Sequence, residues 1–250
     1  MALIGENPYN EMAWLYAKHW GTYFSDKIFP ILQERVSNAL EQGSCIIDIG
    51  CGTGALVRMM KQQGFNTIGL DISSKMIEFA SKADPAGQYL CRDVVSCEDQ
   101  FQVDACLSNY DTLNNILHEE ELLKAFRRIY SWLKPYGIFW FDICDPEKYL
   151  REWNNTSTVM SQNDHVALID STYDEATALA RLHVVVFRPS SKSMWTRSEF
   201  EILERAYSPS TIEPLLRSAG FSIDYIINGI SLGIDRGPGR NFFKVRRPIL

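Results

Sequence analysis

Residues Ser44–Gly54, with the sequence SCIIDIGCGTG, decide the fold of this chain. The stretch opens with the apolar, β-branched run Cys45–Ile47, which predicts a short buried strand. Three glycines then stand at every second position: Gly50, Gly52 and Gly54. The run after Ala55 has helical character. A strand, a glycine turn and a helix form the opening unit of a nucleotide-binding α/β sheet.

The spacing of this turn fits two classes of ligand. Gly50, Gly52 and Ala55 match the dinucleotide fingerprint, in which a pyrophosphate lies at the helix N-terminus. Asp48, two residues before the first glycine, would repel that anion. A carboxylate instead favours the sulfonium and ammonium groups of S-adenosylmethionine, which carries no phosphate. We therefore expect S-adenosylmethionine as the cofactor, with an NAD(P)-dependent oxidoreductase as the alternative.

Composition limits the possible partners. The chain has 250 residues, enough for one α/β domain with an insertion or for two small domains, and its net charge of −6 disfavours nucleic-acid binding. A basic C-terminal cluster is expected to be a solvated edge: Arg236, Arg240, Lys244, Arg246 and Arg247. No apolar run approaches 18 residues and no leader is evident, so we expect a cytoplasmic protein without a membrane partner. Six cysteines without a C-x-x-C pair indicate free thiols and no metal site.

Two further acids follow predicted strands. Asp71 ends the run Thr67–Asp71, about twenty residues after the glycine turn, where an acid can accept both ribose hydroxyls. The alternative is a role at the start of the next helix. Asp93 follows the run Gly87–Cys91 and could accept from an adenine amino group, with the Val94 N–H facing the ring; alternatively it is a solvated loop acid.

The rest of the chain alternates strands and helices up to about residue 150. Strand-like runs at Val103–Leu107 and Ile138–Asp142 flank an amphipathic helix at Glu119–Leu133, which predicts a doubly wound parallel sheet. Between about residues 155 and 208 the pattern changes to short strands and turns, typical of an antiparallel insert. The aromatic N-terminal segment, residues 9–43, predicts helices that either pack in the core or cover a cofactor pocket.

The three acids Asp48, Asp71 and Asp93, together with the glycine turn, resemble the class I S-adenosylmethionine-dependent methyltransferases. The resemblance implies an α/β fold with a mostly parallel seven-stranded sheet of order 3-2-1-4-5-7-6, whose last strand is antiparallel. Four segments look like the small-molecule branch that includes amino-sugar N,N-dimethyltransferases: Trp14–Gly21, Asn109–Asn115, Phe141–Pro146 and Glu204–Ser208.

The resemblance also implies a division of the chain. Residues 1–43 would form a helical lid, and residues 44–150 and 208–250 the methyltransferase core. Residues 151–207 would form a β insert that covers the substrate or makes a homodimer contact. The implied binding residues for S-adenosylmethionine, and for its product S-adenosylhomocysteine, are Tyr16, Asp48, Gly50, Cys51, Gly52, Gly54, Asp71, Ile72, Met76, Asp93, Val94 and Ser108.

The candidate catalytic residues are Tyr110, Asn115 and His118. Members of this branch often carry His or Tyr where Asn115 stands, and an asparagine cannot act as a base. His118 is a candidate base, or an ordinary surface histidine at an acidic helix start. We therefore expect a nitrogen acceptor or an already acidic oxygen. Candidate acceptor contacts, from position alone, are Tyr110, Asn115, Trp153, Trp195 and Arg197. A cofactor-binding module without catalysis is a further alternative.

Overall fold

The computed structural model describes residues 7–191 and 194–249. Parts of three predicted segments lie outside these residues: the first six of the lid, 192–193 of the insert, and 250 at the end of the core.

Helices and strands alternate through most of residues 7–144, as the sequence predicts, whereas the helix Pro146–Glu152 and the strand Thr156–Gln162 are further elements that it did not predict. The helices are α1 Pro8–His19, α2 Tyr23–Arg35, α3 Ala55–Gln62, α4 Ser74–Ala83, α5 Glu119–Trp132, α6 Pro146–Glu152 and α7 Pro209–Ala219. The strands are β1 Cys45–Ile49, β2 Asn66–Asp71, β3 Gln88–Cys91, β4 Val103–Ser108, β5 Leu133–Cys144, β6 Thr156–Gln162, β7 His165–Asp174, β8 Leu179–Pro189, β9 Trp195–Arg205, β10 Ser222–Asn228 and β11 Arg240–Arg246. A short 3-10 turn spans Thr112–Asn115.

The larger sheet has seven strands in the order β10-β11-β5-β4-β1-β2-β3. Strands β1 to β5 pair in parallel, whereas β11 is antiparallel to both β5 and β10. Numbered within this sheet alone, the order is 3-2-1-4-5-7-6, so the predicted fold is confirmed. The expected strand at Ile138–Asp142 begins earlier, because Leu133 already pairs with Val103 before the turn at Tyr136.

Helices cover both faces of this sheet. In β5, Phe139 and Phe141 pack with Phe126 of α5, while Trp140 points to the opposite face, where Leu32 of α2 and Met60 of α3 lie. This alternation follows from the period-two geometry of a strand. Because both faces are buried, the carboxyl ends of the parallel strands are the edge left open to a ligand.

The insert is a second, four-stranded antiparallel sheet in the order β6-β7-β8-β9. Met12 and Leu15 of α1 pack on it against Ala167, Val184 and Phe200. Helix α1 therefore bridges the insert and the larger sheet. A homodimer contact through the insert, and the division into lid, core and insert as separate units, stay predictions.

None of the helices in the described residues has the length and apolar composition needed to span a bilayer.

Candidate active site

A cavity of about 750 Å³ lies at the carboxyl ends of β1, β2 and β4. Its walls come from the glycine turn, α1, α2 and the insert, and we call it the central cavity. Most of the predicted site residues line it: Tyr16, Gly50, Gly52, Asp71, Ile72, Met76, Asp93, Val94, Tyr110 and Asn115. Residues far apart in the chain therefore meet at one edge of the sheet.

The glycine turn approaches its neighbours too closely for side chains. Gly50 has φ +71° and Gly52 has φ +53°, in the left-handed region that favours glycine. A Cβ on Gly50 would overlap the Thr112 side chain, and one on Gly52 would lie 3.3 Å from the Tyr16 ring. The backbone of Gly52 thus faces the cavity directly beneath Tyr16.

Asp71 ties the end of β2 to this turn. Its Oδ2 accepts from the Gly52 N–H at 2.9 Å, and its Oδ1 accepts from the Ser73 N–H at 2.8 Å. Burial raises the pKa of Asp71, while these two backbone donors lower it. An ionised carboxylate offers about four lone-pair sites, so two acceptor positions are left for a ligand in the cavity.

Asp48 lies behind the turn rather than on the central cavity. It lines a small adjoining pocket of about 30 Å³ with Tyr16, Gly50 and Cys51. No hydrogen bond to its carboxylate is found within residues 7–191 and 194–249. Burial, reinforced by the negative charge of Asp71, raises the pKa of Asp48 to about 8. This buried acid has no cation beside it in the described chain.

Asp93 and Val94 line the cavity after β3. The Asp93 carboxylate accepts from the Val95 N–H at 2.9 Å and from Ser96 Oγ at 3.1 Å. The acid therefore stabilises its own turn and still has free acceptor positions. Both readings of this residue, loop acid and ligand contact, are compatible with the geometry.

Polar groups at the end of β4 also lack partners. The Ser108 Oγ and both amide atoms of Asn109 are buried without a hydrogen bond among the described residues. Asn109 lines the cavity, whereas Ser108, Cys51 and Gly54 do not. Because an unpaired buried polar group is costly, the Asn109 amide is suited to hydrogen-bond a polar ligand in the cavity.

A second group of charges surrounds Arg240 at the far end of the cavity. The guanidinium is 3% exposed and forms ion pairs with Asp111 at 3.1 Å, with Asp235 at 3.2 Å and with Asp142. Tyr110 and Asp111 take left-handed φ values of +63° and +53°, uncommon for residues other than glycine. The expectation of a solvated Arg240 is wrong, because β11 lies inside the sheet and directs this side chain into the site.

Tyr9 reaches the same end from α1. Its Oη donates to Asn115 Oδ1 at 3.0 Å, and burial raises the pKa of Tyr9 well above its usual range. Burial also raises the pKa of Tyr16 and of Tyr110, so these phenols stay protonated. Asn115 is therefore held by a hydroxyl donor from the N-terminal helix.

Three of the position-based candidates lie elsewhere. His118 is exposed, immediately before α5, and does not line the cavity, so it is poorly placed to act as the base. Trp195 is exposed on β9, and Arg197 pairs with Glu199 on the same strand. Trp153 does line the cavity. Five further residues of this region were not predicted from the sequence: Tyr9, Asn109, Asp111, Asp142 and Glu204. The buried position of Arg240 was not predicted either.

The residues present fit S-adenosylmethionine. The open backbone at Gly52 and the free acceptor positions of Asp71 suit a ribose, and a cationic group at the turn would favour the ionised form of Asp48 in the adjoining pocket. The same carboxylates oppose a diphosphate at the turn, which argues against a dinucleotide.

The chain is similar to known methyltransferases. A family profile described as a methyltransferase domain matches residues 46–137. The chain is 24% identical over 194 residues to the putative methyltransferase YqeM of Bacillus subtilis, covering 75% of this chain and 77% of that protein. It is 22% identical to the dTDP-3-amino-3,4,6-trideoxy-alpha-D-glucopyranose N,N-dimethyltransferase of Streptomyces venezuelae, covering 80% and 84%.

A solved structure, a S-adenosylmethionine-dependent methyltransferase from Clostridium acetobutylicum, superposes with a TM-score of 0.80 at 22% identity. The match covers 97% of this chain and 100% of that one, which confirms the fold.

The methyltransferase domain at residues 46–137 and the relatives make this chain a S-adenosylmethionine-dependent methyltransferase, and the superposed structure shows that it has the fold of such an enzyme. Within that class its similarity is to the small-molecule branch that contains the amino-sugar N-methyltransferases.

Proposed function

We propose that this enzyme transfers the methyl group of S-adenosylmethionine to an amine nitrogen of a small molecule bound in the central cavity. The observation that carries the proposal is the charge of the cavity lining, in which seven carboxylates stand against five lysine and arginine side chains. The acids include Asp111, Glu204 and Asp235, and the cations include Arg240, Arg236 and Lys148. Among the described residues no histidine lines the cavity. Such a surface favours a basic acceptor over a hydroxyl that needs an imidazole base.

The size of the cavity supports a small acceptor. About 750 Å³ lies within the usual range for pockets that enclose a cofactor or a drug-sized ligand. The relative from Streptomyces venezuelae acts, by its name, on an amino sugar.

Different residues of the site would bind different parts of the cofactor. Asp71 and Ile72 would hold the ribose, Asp93 and Val94 the adenine, and the glycine turn with Asp48 the amino-acid part. Tyr16 would cover the bound cofactor, which supplies a methyl group already activated on a sulfonium. The chain then has mainly to position the acceptor and exclude water, and such positioning can lower a barrier by roughly 7–11 kcal/mol in favourable cases.

The direct test is transfer of a radiolabelled methyl group to a panel of small amines, phenols and carboxylates. We expect label on amines, as N-methyl groups identified by NMR. Label confined to phenols or carboxylates would refute the amine assignment, and no label on any compound would favour a binding module without catalysis.

The His118→Ala variant should still transfer methyl groups, because His118 lies outside the cavity. Complete loss of transfer in this variant would instead support His118 as the base.

Asp71→Ala is expected to weaken S-adenosylhomocysteine binding by roughly 1.5–3 kcal/mol, the range for hydrogen bonds to a charged group. Isothermal titration calorimetry measures this directly. Glu78→Ala, which removes an exposed acid from the neighbouring α4, is the matched control and should bind as the wild type does. Unchanged affinity in Asp71→Ala would reject the ribose assignment.

A further inference from the structure

Glu204 is an acid in the central cavity that the fold does not neutralise. It stands near the end of β9 and is 4% exposed. Its Oε2 accepts from Tyr149 Oη at 2.6 Å. Within residues 7–191 and 194–249 this is the only hydrogen bond to the carboxylate, and no ion pair reaches it. The side chain lines the cavity, so a ligand there can contact it.

The end of β9 is fixed against the loop that carries the candidate acceptor residues. Asn114 Nδ2 donates to the Arg205 carbonyl at 2.7 Å, and Tyr207 Oη donates to the Ile116 carbonyl at 2.5 Å. Glu204 immediately precedes this anchored segment. Glu204, Tyr9 and Tyr110 all line the central cavity, so the three side chains face one space.

The guanidinium whose charge reaches Glu204, that of Arg240, already pairs with Asp111, Asp142 and Asp235. Asp235 is shared with Lys148, which also lines the cavity, while Asp111 and Asp142 pair with Arg240 alone among the described residues. Burial, reinforced by Asp111, raises the pKa of Glu204 well above its usual range. An uncompensated buried carboxylate is expensive, and a cationic ligand would offset that cost.

We infer that Glu204 binds the ammonium group of the acceptor and takes its proton, which makes the site selective for basic aliphatic amines. This inference rests on the proposed function. In the step, one N–H bond of the ammonium breaks and one O–H bond forms on Glu204, leaving a neutral nitrogen with the lone pair that methylation requires. The proton passes from Glu204 to water when the product leaves, which restores the carboxylate.

The test compares binding of cyclohexylamine and cyclohexanol, which share a ring and differ in charge, to the full chain with S-adenosylhomocysteine present. We expect the wild type to bind the amine at least about tenfold more tightly by calorimetry or ligand-observed NMR, the scale of one charge-assisted hydrogen bond. Glu204→Gln should abolish this preference, since glutamine still accepts from Tyr149 but carries no charge. Glu201→Gln removes an exposed charge from the same strand and should retain it.

The pH dependence of binding supplies a second measurement. The preference of the wild type for the amine should rise with pH as Glu204 ionises, and Tyr149→Phe should move this rise to higher pH, because the lost hydrogen bond favours the ionised form. The other titratable and charged groups that face Glu204 are Tyr9 from α1, Tyr110 and Asp111 from the loop after β4, Asp142 from β5, Cys144 from β5, and Arg240 from β11.

An amine preference that survives in Glu204→Gln, or its absence from the wild type, would overturn the inference. If Glu204→Gln abolishes the preference but no amine is methylated in the radiolabel assay, the ammonium subsite stands and the proposed function fails. If amines are methylated equally well by Glu204→Gln with an unchanged pH profile, the proposed function stands and the role of Glu204 fails.

Discussion

Replacing Arg240 with methionine is expected to lower the free energy of unfolding by about 3–5 kcal/mol at pH 8, the usual cost of removing one partner from a buried ion pair. The guanidinium is buried and pairs with Asp111, Asp142 and Asp235. Methionine fills similar space but leaves Asp111 and Asp142 without a counter-charge, whereas Asp235 keeps its pair with Lys148 at 2.6 Å. The left-handed backbone at Tyr110 and Asp111 would also lose its anchor.

The decrease in the free energy of unfolding caused by Arg240→Met should depend on pH. Burial already raises the pKa of Asp142 to about 6, even though Arg240 lowers it. Without Arg240 that pKa rises further, so the penalty is full where Asp142 would be ionised, at pH 8. It shrinks as the pH falls to 5, where Asp142 takes up a proton and no longer needs a partner.

Urea denaturation at pH 5 and pH 8 measures both effects. Arg246→Met is the matched control, because Arg246 lies on the same strand but pairs with Asp224 near the surface. Partly exposed pairs of this kind contribute about 0–1 kcal/mol. An Arg240→Met variant as stable as this control at pH 8 would contradict the assigned role of Arg240.

The parts of the site that could be predicted from the sequence are those encoded locally. The glycine turn and the acids at Asp71 and Asp93 each follow their own strand within a few residues, and parallel strands bring their carboxyl ends to one edge. The order of the strands was predicted from the resemblance to the methyltransferase family. It could not be predicted from the local sequence pattern, because that pattern does not indicate which distant strands pair. The structure confirms that order.

Arg240 was missed because its role depends on contacts across the whole chain. It pairs with Asp111, 129 residues earlier, and stands in a basic stretch that by composition looks like surface. Only the central position of β11 between β5 and β10 reveals that its side chain is buried.

The buried position of Glu204 could have been predicted from the alternating pattern of its strand. Phe200, Ile202 and Glu204 alternate along β9, so the period of two places the acid on the same face as two buried apolar residues. An acid on the apolar face of a strand marks a buried carboxylate. The neighbouring Glu199 and Glu201 are exposed and made the segment look uniformly polar.

Asp48→Asn is expected to stabilise the protein more as the pH rises, by about 4 kcal/mol at pH 8 relative to pH 4. The pKa of Asp48 is about 8 in the fold, against about 4 for an unfolded aspartate. Folding therefore opposes ionisation of this group, and the penalty grows from pH 4 until the carboxyl ionises in the folded state near pH 8. Asparagine has no such penalty, and any cost of its own buried amide is independent of pH.

Chemical denaturation across this pH range, without cofactor, measures the difference between the two proteins. Asp104→Asn is the control, since Asp104 pairs with Lys134 at 2.9 Å and should gain no stability at high pH. A stability difference between wild type and Asp48→Asn that stays constant from pH 4 to pH 8 would refute the raised pKa.

The Asp48→Asn variant should also lose more affinity for S-adenosylmethionine than for S-adenosylhomocysteine, because only the former carries the sulfonium. Stability gained together with cation affinity lost would mean that the fold keeps a costly buried acid because its ligand is positively charged.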